Sequence, residues 1–351
     1  MVDQAGDIYS TGYFSGKVDF DPGKDTAYIT SNGSFDIYIL KVDNKGAFVW
    51  AKSIGGTGKD QGNSIALDTF GNIHLTGSFE SSVDFDPGSG TSYLVSNGGS
   101  DIFICQLNKS GQFVWANNMG GDSDDNGNSI VTSASGTIYT TGYFQDTAYF
   151  NSTDYLIASG GLDAYVSVYD PSGNLQSLHQ MTGPGDEAGN AITLDTRENI
   201  FITGYFNDQV DFDPLYGPYY MKALGDADVF ILKLDASVYF SWVVPLAGKG
   251  YDCGNSIVVS SSGDVYATGV FSTTADFDPS PKGTANLTSA GGTDIFISKL
   301  NSSGSYVWAR QIGGTNDDQG LTITLDGSGE IYNSGGFQSR VDFDPGSSTY
   351  Y

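Results

Sequence analysis

One stretch, Thr76-Gly77-Ser78-Phe79-Glu80-Ser81-Ser82-Val83-Asp84-Phe85-Asp86-Pro87-Gly88, returns through the chain at nearly fixed intervals. Its Thr-Gly-x-Phe opening begins at Thr11, Thr76, Thr141, Thr203 and Thr268 and, as Ser-Gly-Gly-Phe, at Ser334, in steps of 65, 65, 62, 65 and 66 residues. Asp-Phe-Asp-Pro follows eight residues after each start, except in the third copy, which reads Tyr149-Phe150-Asn151-Ser152. A chain that repeats in this way stacks like units, each burying its apolar face on the next.

One unit, 62–125, separates into four strand-like runs. The first is Asn63-Ser64-Ile65-Ala66-Leu67 and the second runs from Ile73 to Phe79. After a longer loop come Asp101 to Leu107 and Gln112 to Ala116. Each run is short, rich in β-branched and aromatic residues and bounded by turn formers such as Asp68-Thr69-Phe70-Gly71 and Asn108-Lys109-Ser110-Gly111. Helix signals are absent. Four antiparallel strands per unit of about 65 residues predict an all-β protein, a β-propeller with one four-stranded sheet per blade. A parallel β-solenoid would repeat on a period of roughly 20–30 residues. The Phe at 14, 79, 144, 206, 271 and 337, and Trp50, Trp115, Trp242 and Trp308, fall at repeated positions and are expected to fill the core between adjacent sheets. The Gly two places before each Phe is expected to admit a neighbouring backbone.

The segments at 62–68, 71–79, 84–88 and 101–104 resemble the units of the bacterial SBBP family, the seven-bladed β-propeller repeat. The resemblance covers essentially the whole chain. It implies the propeller fold and a secreted or surface-attached bacterial protein, and it implies no catalytic residues. Four units are whole and both ends are partial, so the blade number stays between five and seven. The chain, 1–351, reads as a single repeat domain and as a segment of a longer protein. The third unit departs most: both aspartates are gone, its long loop is three residues shorter, and Ser177 replaces the Trp. Either relaxed constraint or a dedicated contact accounts for that departure.

Fifteen basic against 41 acidic residues leave a formal charge of -26. Nucleic acid is excluded as a partner on this ground, because binding it works by neutralising phosphates with Lys and Arg. No apolar run is long enough to span a bilayer, and Met1 to Gly6 carries no hydrophobic signal segment. Cys105, read in a strand, and Cys253, read in a loop, have no knuckle or disulfide spacing and are expected to be free thiols.

The chemistry open to this chain lies in its carboxylates. In a propeller the loop between second and third strands shares a face with the connection to the next blade. That face would gather the Asp-Phe-Asp loops with Asp60, Asp125, Glu187, Asp252 and Asp318, each placed two residues before a Gly or equivalent. In an extended Asp-x-Asp the two side chains leave the same side and can converge on one ion, and calcium takes six to eight oxygens. Asp19/Asp21, Asp84/Asp86, Asp211/Asp213 and Asp276/Asp278 are therefore candidate calcium ligands, with none in the third unit and Asp342/Asp344 set aside. The competing reading is that Asp-Pro-Gly makes a turn and the first Asp caps it. His74 and His179 occupy different repeat positions and form no pair for zinc, and no nucleophile is singled out. The expected function is a non-catalytic extracellular or cell-surface scaffold, not an enzyme, binding a protein or glycan partner on the acidic face or other domains of a larger chain. The alternative is a lectin-like or glycan-processing propeller.

Overall fold

The computed structural model describes residues 1–346 and 348–351. Among these every regular element is a strand and there is no helix. They form two compact units, one of Met1–Ala158 with Tyr165–Leu178, the other of Ser159–Ala164 with His179–Tyr351.

The complete repeat in the first unit consists of Gln61–Leu67, Ile73–Asp84, Tyr93–Leu107 and Phe113–Met119, each antiparallel to the next. The same order recurs in the second unit at Cys253–Val259, Val265–Asp276, Asn286–Leu300 and Tyr306–Gly314. The partial first copy lacks the opening strand, and Ile8–Phe14, Asp36–Val42 and Phe48–Gly56 pair in sequence.

Two boundaries differ from those expected. The loop carrying Asp-Phe-Asp is largely a hairpin: the second strand continues past Phe79 to Asp84, and the third begins at Tyr93. The register shifts between Glu80 and Ser82, where Ser81 takes a φ of 64°, so the ladder bends through a bulge and then resumes. Asp146, Asp208, Thr273 and Ser339 repeat this left-handed conformation, and Gly16 holds it in the first copy. The extension pairs back onto the preceding repeat, Gly55 with Asp84 and Gly56 with Val83. Cys253 opens a strand instead of lying in a loop, because pairing with Val270 begins there. Both cysteines are free and buried.

The aromatic pattern divides in two. Phe79, Phe144, Phe206 and Phe271 are wholly buried. Each meets the Phe of its own hairpin edge to face, as Phe79 does Phe85 at 5.3 Å and Phe271 does Phe277 at 5.5 Å. The tryptophans are only half-buried, at the rim of these clusters. The rings of Trp50, Trp115 and Trp242 run under the last turn of the following repeat, where a Cβ on Gly111 would stand 3.3 Å from Trp50. At Gly77 a Cβ would strike the main-chain oxygen of Gln61, and Gly142, Gly204, Gly269 and Gly335 repeat the approach. Packing between repeats is as close: a Cβ on Gly127 would strike the Thr76 hydroxyl, which itself donates to Phe103 O at 2.8 Å.

Candidate functional site

The Asp-Phe-Asp segments are capped turns. Asp84 Oδ1 accepts the main-chain N–H of Asp86 at 3.1 Å and of Ser92 at 2.7 Å, and Asp86 Oδ1 accepts that of Gly88 at 2.8 Å. Asp19 takes the N–H groups of Asp21 and Ala27, Asp211 those of Asp213 and Tyr219, Asp276 those of Asp278 and Ala285, and Asp342 those of Asp344 and Tyr350. Asp21 accepts from Gly23 and Asp278 from Ser280. Asp213 departs, being buried with Oδ1 unpartnered. In the third repeat Asn151 Oδ1 keeps the second cap, accepting from Thr153 N and Asp154 N. The chain turns at the first Asp, so the paired side chains do not project from an extended segment. Among the described residues no three His, Cys, Asp or Glu gather in an arrangement that could hold a metal ion.

A second set of carboxylates is wholly buried. Asp36, Asp101, Asp163, Asp228 and Asp294 open the apolar part of each third strand. Each is matched, 24 residues later, by Asp60, Asp125, Glu187, Asp252 or Asp318. The second member ties two repeats together. Asp125 Oδ2 accepts Gly121 N at 2.8 Å from the connection, and Oδ1 accepts Gln145 N at 3.0 Å from the end of the next second strand. Asp60 does the same with Gly56 and Glu80, and Asp318 with Gly314 and Gln338. The first member has one oxygen left over: Oδ1 of Asp36, Asp101 and Asp294 is buried without a partner. The two carboxyls share one space. A Cβ on Gly120 would lie 2.8 Å from both Asp101 Oδ1 and Asp125 Oδ2.

Burial, reinforced by the like charge of Asp36, pushes Asp60 up to about 6. Burial likewise takes Asp101 to about 6, Asp125 to about 7 beside Asp101, and Asp252 to about 7 beside Asp228. Asp36, Asp163, Asp228 and Asp294 are raised by the same desolvation. Burial takes Glu187 up to about 9, with the like charge of Asp163 adding to it. Such a pair holds a proton that an exposed carboxylate would have lost. The second members were visible as part of each connection. The first members were missed, although a lone Asp heading every apolar third strand at constant spacing marks them.

The histidines are structural. His74 is buried against Asp68, Nε2 to Oδ2 at 3.4 Å, and His179 Nε2 lies 3.0 Å from Phe212 O. Desolvation lowers both pKa values, which keeps the rings neutral.

Residues 49–78 match the family model of SBBP, the beta-propeller repeat. That stretch takes in nearly all of one repeat's fourth strand, the connection with Asp60, the first strand of the next repeat and its second as far as Ser78. This segment is an SBBP repeat. The chain is also similar to an uncharacterized WD repeat-containing protein, L264, of Acanthamoeba polyphaga mimivirus, at 23% identity over 83% of this chain and 25% of the relative. The regulatory protein FlaEY of Caulobacter vibrioides is 28% identical over 49% of this chain and 17% of its own length. The chain thus spans a quarter or less of the curated relatives it matches. A crystal structure of a protein of unknown function from Bacteroides caccae covers 86% of this chain and 93% of its own, with a TM-score of 0.34 and 10% identity. No helix among the described residues is long and apolar enough to cross a membrane.

Proposed function

We propose that the chain is a non-catalytic binding module made of SBBP repeats, part of an extracellular or cell-surface bacterial protein, whose loops engage a protein or glycan partner. The observation that carries this reading is the employment of the carboxylates. Each capped turn and each buried pair recurs as framework, with main-chain N–H groups on most of the oxygens, and the pairs are closed to solvent. A general acid must reach its substrate, and Glu187, the most strongly shifted group, is buried. The repeated SBBP units support a scaffold, as does the relative named for WD repeats. The test is a turnover screen over polysaccharides and peptides. No product is expected, and turnover abolished by Glu187→Gln would overturn the reading.

Calcium belongs to this proposal as a ligand of the remaining oxygens of Asp19/Asp21, Asp84/Asp86, Asp211/Asp213 and Asp276/Asp278, completed by water and main-chain carbonyls. A melting temperature that rises in millimolar calcium and falls back with chelator supports it. An unmoved melting temperature removes it.

A further inference from the structure

The third repeat is where the pattern breaks, and its altered residues line a groove within the first compact unit. Its volume is about 550 Å³, the size of a site for a small ligand. Tyr149 to Thr153, the shortened and uncharged counterpart of Asp-Phe-Asp-Pro-Gly, forms one wall. The fourth strand of the preceding repeat and the turn at Gly173 to Leu175 form the others, with Leu94, Asn97 and Tyr169 completing the lining.

The groove is lined by amides held in one orientation. Asn117 donates Nδ2 to Gly173 O at 2.7 Å, Asn174 to Asp170 Oδ2 at 2.9 Å, Asn97 to Asp101 Oδ2 at 3.2 Å and Asn118 to Val95 O at 3.3 Å. Gly173 O, Val95 O and the exposed Asp170 carboxylate can only accept, and Asp101 Oδ2 already accepts the Asn97 main-chain N–H, so the NH2 end of each amide is assigned by its neighbour. The four Oδ1 atoms accept no bond from the described residues, and the strand alternation turns Asn117 toward the third repeat and Asn118 to the opposite face, leaving Asn117 Oδ1 as the fixed, neutral acceptor beside Tyr149. Tyr149 is half exposed, its ring 5.6 Å from that of Tyr155. A cavity of about 750 Å³ stands at the equivalent place within the second unit, with Arg310 and Gln311 for the two amides and Asp342 for Tyr149, so the lining and not the cavity is particular to this repeat. The positions of Asn117 and Asn118 are Lys52-Ser53, His179-Gln180, Val244-Pro245 and Arg310-Gln311 elsewhere, and that of Tyr149 is Asp in every other copy.

An acceptor without charge calls for a ligand that brings hydroxyl donors without charge, and an exposed aromatic face suits the C–H surface of a sugar ring. An acidic chain would repel an anionic sugar and would draw a cation to carboxylates, not to amides. We propose that this groove binds a neutral saccharide of one or two rings, stacked on Tyr149 with its hydroxyls donating to Asn117. The inference rests on the binding-module reading and names the ligand class for it.

The experiment is calorimetric titration of the chain with neutral disaccharides of glucose, galactose, mannose and xylose, beside a uronate-containing disaccharide. Wild type and the variants Tyr149→Phe, Tyr149→Ala and Asn117→Ala are compared after their melting temperatures have been matched. The expected result is binding of at least one neutral saccharide, kept in Tyr149→Phe and weakened roughly tenfold in Tyr149→Ala and Asn117→Ala. Binding of none of the neutral sugars, of the uronate alone, or with equal strength in all four proteins overturns the groove. Those outcomes leave the non-catalytic reading standing. Hydrolysis of a bound sugar would overturn that reading and leave the groove.

Discussion

At Asp84 one oxygen receives two main-chain N–H groups, from Asp86 and Ser92, and that is the work of the residue. Asp84→Asn keeps an oxygen in place and is expected to leave the urea midpoint nearly unchanged. Asp84→Ala strands two donors at a partly buried turn and is expected to cost about 1–3 kcal/mol. Equal loss in both would mean that the charge, not the cap, matters. Gly77 is as specific, because a methyl there would strike the Gln61 carbonyl and crowd the Phe103 ring, whereas at Gly336 it would meet nothing within 4 Å. Gly77→Ala is expected to lose about 1–3 kcal/mol or more and Gly336→Ala to be near neutral, as read by thermal unfolding. The role of Gly77 was legible from its place in Thr-Gly-x-Phe. The cap was legible only as one of two readings, since Asp-x-Asp spacing describes an ion pocket and an Asp turn equally well until the hydrogen bonds are known.

At the scale of the strand, periodicity located all four elements of a repeat but not their ends. The hairpin extension to Asp84 and from Tyr93 lies beyond a bulge at Ser81, and a bulge shifts the alternation by one residue, hiding the continued strand from period-2 counting. The buried acid pairs are a product of these elements, a third-strand start facing a connection. Their pKa values are raised above those of the unfolded chain, so the stability they contribute is fully present below about pH 4. It is lost as pH rises through about 6 to 7 for Asp60, Asp101, Asp125 and Asp252, and later for Glu187. Carboxyls held low by main-chain and amide donors, such as Asp68 and Asp170, act oppositely, their contribution being lost in acid. The melting temperature is expected to peak near pH 5 and to decline toward pH 8. Asp101→Asn places a donor where Asp101 Oδ1 stands unpartnered beside Asp125, so the variant is expected to melt higher than wild type at pH 8 and level with it at pH 5. A variant that loses stability at both would show that Asp101 is not strained by its partner.

Over the whole chain, the formal charge of -26 counts every carboxylate as ionised. The buried pairs make that count too negative for the native protein at mild acidity. The architecture could be read from the 65-residue period because each repeat solves the same packing problem with the same Gly, Thr and Phe. The proton-holding pairs could not, because two aspartates 24 residues apart declare nothing until the fold closes them around one glycine. The central claim, that these carboxyls are framework holding protons, is tested most directly by the proton exchange of folding at pH 6, read by pH-stat or by titration of native against urea-unfolded chain. The account predicts net uptake on folding, on the order of three protons per chain. Zero uptake, or release, would contradict it.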